Sequence, residues 1–250
     1  MKETGLRQML CYVLFFLMGA SAVAAVFTDN KLKYRTYFGT CPSRSAGSLT
    51  LNLIKIFEDE MSLKAIKQEI LLQRLDQKHF ISNYQIKFDP LRNFMVINFE
   101  CPRPLMRVQV VKDGSDETYN AILVENGDLY DPTYEVLLRD EQKLKQELPY
   151  LALPLKEMDK NIQHHIARLI KTFKHSVRDM LSEVILNDNL ELTVIMSIQG
   201  RPTSVFMGKN EWIDKVDKLE QIVTYMQAKN KIPAIINLTN SKKVVVKFNE

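Results

Sequence analysis

The sequence predicts an α+β fold: a single N-terminal membrane helix, a small α+β unit, then a β-sheet unit with two packed helices. Three observations carry this expectation. An uncharged apolar run lies near the N-terminus. Several short segments then alternate apolar and polar residues at period two, bounded by turn residues. Between them lie segments whose apolar residues recur every three to four positions, the spacing of an amphipathic helix.

The apolar run spans Met9 to Phe27, 19 residues without a charge. As a helix it covers roughly 28 Å at 1.5 Å per residue, close to the ~30 Å bilayer core. Residues 1–8 then form a short tail. A cleaved signal peptide is the competing reading, with Lys2 and Arg7 as the basic region and Ala22-Val23-Ala24 as the cleavage motif. Lys31, Lys33 and Arg35 follow the run, so the flanking charges do not favour an N-inside topology. One long polar region behind a short apolar run points to export of that region.

Composition is ordinary for a globular protein, with 46% hydrophobic and 26% charged residues and a net charge of +4. There is no dense Lys/Arg block and no aromatic-basic interleaving, so no nucleic acid partner is expected. Glycine is scarce, at 8 residues, which argues against phosphate-cradling loops. No Walker loop, nucleophile elbow, HExxH or dinucleotide fingerprint occurs, and neither an enzyme activity, a cofactor nor a small-molecule substrate is expected.

Residues 28–47 read as a polar linker with room for a short strand at 34–38. Residues 48–57 fit either period. Ser62 is a plausible N-cap for a helix through Leu75, with Leu63, Ile66 and Ile70 on one face. Tyr84, Ile86 and Phe88 alternate with polar neighbours, and Asp89-Pro90-Leu91-Arg92-Asn93 turns the chain into a second strand, Phe94 to Phe99. Leu105 to Val111 continues as a strand. The charged segment 112–117 is the expected boundary, giving units at 48–112 and 118–250.

In the second unit, Asn126-Gly127 is a hairpin signal between Tyr119–Val124 and Leu129-Tyr130. Residues 131–156 read as mostly loop. A helix is expected from Asp159 to Met180, on the face of Ile162, Ile166, Leu169, Ile170, Phe173 and Val177. Strands follow at 184–186, 192–198 and 203–207. A helix after Asn210 carries Ile213, Val216, Leu219 and Val223. The chain then reads as two strands, Ile235–Leu238 and Lys242–Phe248.

Chemistry-bearing clusters are few. His164 and His165 are adjacent and diverge by about 100° on a helix, and His175 lies roughly 15 Å further along. No metal site is expected from them. Glu58-Asp59-Glu60 and Asp140-Glu141 read as solvated surface. Cys41 and Cys101 are a candidate disulfide, worth roughly 4 kcal/mol on the chain-entropy model, or two free thiols.

This leaves the terminal strand as the leading clue. An edge strand presents unpaired N–H and C=O groups to which another chain can add. The expected partner-binding residues are Lys242, Lys243, Val244, Val245, Val246, Lys247 and Phe248. Val244, Val246 and Phe248 share one face, and Val245 and Lys247 the other. The three lysines either pair with acidic partner residues or guard the edge from aggregation.

In this order the chain resembles the FtsQ/DivIB family of bacterial cell-division proteins. The likeness rests on the apolar run, the helix 62–75, the strand to Phe88, and Glu100-Cys101-Pro102-Arg103-Pro104 against a Glu-Arg-x-Pro pattern. It rests also on a hairpin ending in Met207-Gly208, the helix 211–229 and the final strand pair. The family's Asp-Leu-Arg-Tyr run is replaced by Asn237-Leu238-Thr239-Asn240. The resemblance implies a POTRA-like domain at 48–112, a β domain at 118–250, and a single-pass protein of the bacterial inner membrane with its C-terminal region in the periplasm. It implies a divisome scaffold whose partners are FtsB/DivIC-like and FtsL-like bitopic proteins. The alternative is a soluble periplasmic binding or assembly protein released by signal-peptide cleavage.

Overall fold

A computed structural model describes residues 31–111, 118–152, 160–187, 189–240 and 242–248. The expected membrane helix at 9–27 and the tail before it lie outside the described residues. Among the described residues, no helix is long and apolar enough to cross a membrane. The described strands form one three-stranded and one nine-stranded sheet, with helices packed on each, so the α+β class is as expected.

The first unit is built from β1 (Lys33–Tyr37), α1 (Ser43–Glu60), α2 (Leu63–Gln73), the short α3 (Leu75–Lys78), β2 (Asn83–Asp89) and β3 (Phe94–Glu100). Its sheet order is β1-β3-β2, with β1 parallel and β2 antiparallel to β3. Residues 28–47 are therefore not simply a linker, because Lys33–Tyr37 pairs along β3 and α1 begins at Ser43. The strand is polar because it is a largely exposed edge, which hides it from a hydrophobicity reading. The ambiguous run 48–57 is helical. Leu49, Leu53 and Phe57 repeat at four residues and are buried, which a strand of period two cannot achieve. Ser62 caps α2 as expected, its Oγ accepting from Ala65 N–H at 3.3 Å.

The second unit begins earlier than the sequence suggested. β4 (Pro104–Val111) pairs antiparallel with β5 (Thr118–Val124) inside the larger sheet. Segment 112–117, outside the described residues, therefore connects two paired strands. β6 (Leu129–Tyr130), α4 (Thr133–Asp140), β7 (Tyr150–Ala152), α5 (Lys160–Thr172), α6 (His175–Arg178), β8 (Leu181–Leu186), β9 (Leu192–Ile198) and β10 (Arg201–Gly208) follow. α7 (Trp212–Ala228), β11 (Ile235–Asn237) and β12 (Val245–Lys247) complete it. Gly127 closes the β5–β6 turn at φ 87°, and a Cβ there would sit 2.9 Å from the His164 ring.

Two readings in this unit are corrected. Residues 131–156 contain α4 and β7, whose shortness and flanking prolines mask their patterns. The helix expected to run to Met180 breaks after Thr172, where the buried Glu220 carboxylate accepts from Lys174 N–H at 2.6 Å.

The larger sheet runs β12-β11-β10-β9-β8-β7-β4-β5-β6. β7 to β8 and β10 to β11 are parallel pairs, with α5 and α7 as the connecting helices. One row of side chains crosses the sheet: Ala121, Val108, Leu151, Val184, Val194, Val205, Ile236 and Val246 stand in register. All are buried except the last, Val246, which is half-buried at the edge.

The two units share a core. Ile122, Val124, Tyr134 and Leu138 pack in one cluster with Cys101, Phe80 and the α1 residues. Phe80, Tyr130 and Tyr134 stack with centroids 4.9–5.6 Å apart, and Tyr134 donates to Pro102 O at 2.6 Å.

Candidate functional site: the terminal sheet edge

β12 is the last strand of the nine-stranded sheet and, among the described residues, pairs with β11 alone. It covers Val245–Lys247, shorter than the expected run 242–248. Its register pairs Ile235 with Lys247, Ile236 with Val246, and Asn237 with Val245.

Backbone parity fixes which groups face outward. Ser204 N–H donates to Ala234 O, and Leu238 N–H donates to Phe206 O. In a parallel ladder Ile236, between them, also turns its N–H and C=O toward β10. Ile235 and Asn237 therefore turn theirs toward β12, and Lys247 O faces inward, where it also accepts from Ala234 N–H at 2.9 Å at the irregular entry to β11. Val245 and Lys247 bond inward. Val246 turns its N–H and C=O off the sheet, and Val244 and Phe248 share its parity if the extended run continues.

The side chains follow the same alternation. Val246 lies on the face of Ile236, the helix-covered face of the sheet. Val245 and Lys247 lie on the opposite face, where Val245 stands across from Asn237 and is 38% exposed. Val244 and Phe248, at 37% and 47% exposure, flank the strand on either side. Lys242, Lys243 and Lys247 are exposed, and among the described residues none makes a salt bridge. Asn240 Oδ1 accepts from Lys242 N–H at 2.8 Å and Lys243 N–H at 3.3 Å, which shapes the approach to the strand.

Behind the edge, buried polar side chains brace the sheet. Lys215 donates to Met207 O and Asn210 O, both at 2.7 Å, fixing α7 to the end of β10. Trp212 is partly buried and donates to Gly208 O at 2.7 Å, in line with a packing role. Thr203 Oγ1 donates to Pro233 O at 2.7 Å, tying β10 to the entry of β11.

Cys41 and Cys101 are joined by a disulfide, with Cα atoms 4.9 Å apart. The bond closes the start of α1 onto the end of β3 and is buried. The histidines stand apart. His164 and His165 each donate back to their own helix, to Lys160 O and Asn161 O, and His175 contacts Asp179 at 2.6 Å. Among the described residues no cluster of three metal-ligating side chains occurs.

Two charged clusters went unread in the sequence. Glu135 is buried, and its carboxylate accepts from Arg107 Nε and Nη2 at 2.9 and 2.8 Å and from Arg139 Nε at 2.8 Å. Burial opposes its ionisation, but the two guanidiniums outweigh that and hold the carboxyl below its usual range. Glu141, expected to be solvated, accepts from Ser43 N–H at 2.8 Å and Arg44 N–H at 3.1 Å. It thereby caps α1, which has no side-chain cap of its own. Burial again opposes ionisation, but these hydrogen bonds and Lys143 bring the carboxyl down to about 2. An i,i+4 Glu-Arg pair at 135 and 139 was the visible sign of the first cluster. Nothing local marks the second.

Comparison with protein-family models and with curated protein sequences gives no match.

Proposed function

We propose that the chain is a bitopic scaffold of the bacterial inner membrane, anchored by residues 9–27, whose β12 edge takes up a strand from a small bitopic partner. The observation that carries this reading is the outward N–H and C=O of Val246 at the open end of a nine-stranded sheet. Backbone hydrogen bonds supply the attachment, and Val244, Val246 and Phe248 on one face, with Val245 on the other, supply selectivity. Lys242, Lys243 and Lys247 favour acidic residues in the incoming segment.

The resemblance to the FtsQ/DivIB family makes a divisome role the preferred one, with FtsB/DivIC-like and FtsL-like proteins as partners. The order of the first unit, one strand, three helices of which the third is a single turn, then two strands, supports a small α+β module of the POTRA-like kind there. The buried disulfide supports placement in an oxidising compartment, as export to the periplasm requires.

The test is capture from detergent-solubilised membranes with the full chain and with a chain lacking residues 242–250. The proposal expects a small single-span protein that co-purifies with the full chain and is lost on truncation, at unchanged helix content. Retention at equal yield by the truncated chain contradicts it. A second reading, release as a soluble periplasmic protein, draws on the small-residue run Gly19 to Ala25. N-terminal sequencing separates the two, since a mature protein beginning near Ala25 has no anchor.

A further inference from the structure

A second surface stands away from the β12 edge. A cleft of about 980 Å³ opens between the two units. Leu105, Leu181 and Pro149 contribute an apolar floor, and Arg103, Lys171 and Arg178 bring three positive charges. Among the described residues none of these three cations is in a salt bridge. The carboxylates that share the lining are Glu125, Glu147 and Asp179, of which Asp179 is engaged by His175. Arg168 carries the positive charge onward, lining a smaller depression that shares Lys171 with the cleft.

Two details make this cleft suited to a peptide. The first is its backbone. Arg107 N–H donates to Pro149 O at 2.9 Å, the outermost rung of the β4–β7 ladder. The next rung requires an N–H from residue 149, which proline lacks, so the ladder stops at the cleft wall. The second is Tyr150, which lines the cleft at 55% exposure beside Arg107, its ring centroid 5.5 Å from the guanidinium. Exposed tyrosine and arginine side around an apolar floor are the residue types that dominate binding hot spots.

We infer that this inter-unit cleft binds an extended segment of a partner protein in which acidic residues alternate with apolar ones. The apolar side chains rest on Leu105, Leu181 and Pro149, and the carboxylates meet Arg103, Lys171 and Arg178. This site is separate from the β12 edge, and the inference does not depend on the strand-addition proposal.

The experiment uses the full chain in detergent and a fluorescein-labelled ten-residue peptide of alternating Glu and Leu. Fluorescence anisotropy is read against the same peptide with Gln in place of Glu. The variants are R103E, K171E and R178E, singly and together, with V246P as the edge control. Circular dichroism checks that each retains its helix content. The expected result is saturable binding of the acidic peptide, weakened about fivefold or more by each reversal, at least 30-fold by all three, and unchanged by V246P. Equal binding of the Gln peptide, indifference to the three reversals, or loss of binding in V246P overturns the inference.

Discussion

Backbone parity at β12 makes two adjacent proline substitutions behave oppositely. Val246 turns its N–H outward, whereas Val245 is paired inward with Asn237. V246P therefore deletes a donor that no described strand uses and leaves the β11 pairing in place. The residue before it, Val245, is already extended, as a residue preceding proline prefers. Folding stability should change by less than about 1 kcal/mol, the scale of surface substitutions. Partner binding should not survive as well. A lost backbone hydrogen bond contributes about 0.5–1.5 kcal/mol, and the partner carbonyl left unsatisfied adds about 1–3 kcal/mol. The sum, roughly 1.5–4.5 kcal/mol, weakens binding about tenfold to 1,000-fold. V245P instead breaks a β11–β12 bond and should lower the stability of the strand itself. The assay pairs urea denaturation with titration of the captured partner by calorimetry. A V246P variant that binds as tightly as the parent, or one that unfolds as readily as V245P, refutes the parity argument.

Three further outcomes follow from the packing. Replacing Cys41 and Cys101 together by serine removes a cross-link spanning 60 residues and should lower stability by about 4 kcal/mol in urea denaturation, an effect reductant reproduces in the parent. E135A leaves Arg107 and Arg139 facing a buried vacancy and should cost about 3 kcal/mol, the low end for a broken buried pair because both guanidiniums keep some water contact. Glu141 has a folded carboxyl held at about 2 against an ordinary value of 4.5, so its contribution is complete above the ordinary value and fades as pH falls toward 2. The stability gap between the parent and E141Q, measured by denaturation at several pH values, should be widest near neutrality and shrink below pH ~4.

Long, regular periodicity was legible in the sequence and short or polar elements were not. The stripe Val216, Leu219 and Val223 predicts α7 because a helix face must recur at three to four residues to reach one core. Leu192, Val194 and Met196 predict β9 for the matching reason at period two. A short strand was legible at 34–38, but its place was not: Lys33–Tyr37 is an exposed edge set by pairing with β3, a contact no local pattern encodes. β4 pairs within the larger sheet although the expected boundary lay after it, because sheet membership depends on partners, and its partner lies beyond the charged segment 112–117.

The candidate edge was legible in a different measure. The β-branched run 244–246 announces a strand, and the turn residues before it announce its antiparallel partner. Which face meets the core was not legible, because Val244, Val245 and Val246 are chemically alike. Pairing with Ile236, which stands in the buried row across the sheet, decides it. The inter-unit cleft had no sequence signature at all. Arg103, Tyr150, Lys171 and Arg178 come from four separate segments and meet only in the folded chain.

Amide hydrogen exchange of Val246, read residue by residue by NMR in the free protein and with the captured partner bound, tests strand addition most directly. Strand addition requires a Val246 amide that exchanges near its unprotected rate when free and slows at least about 100-fold on binding, an opening free energy of ~2.7 kcal/mol. A Val246 amide that exchanges equally fast in the saturated complex contradicts it.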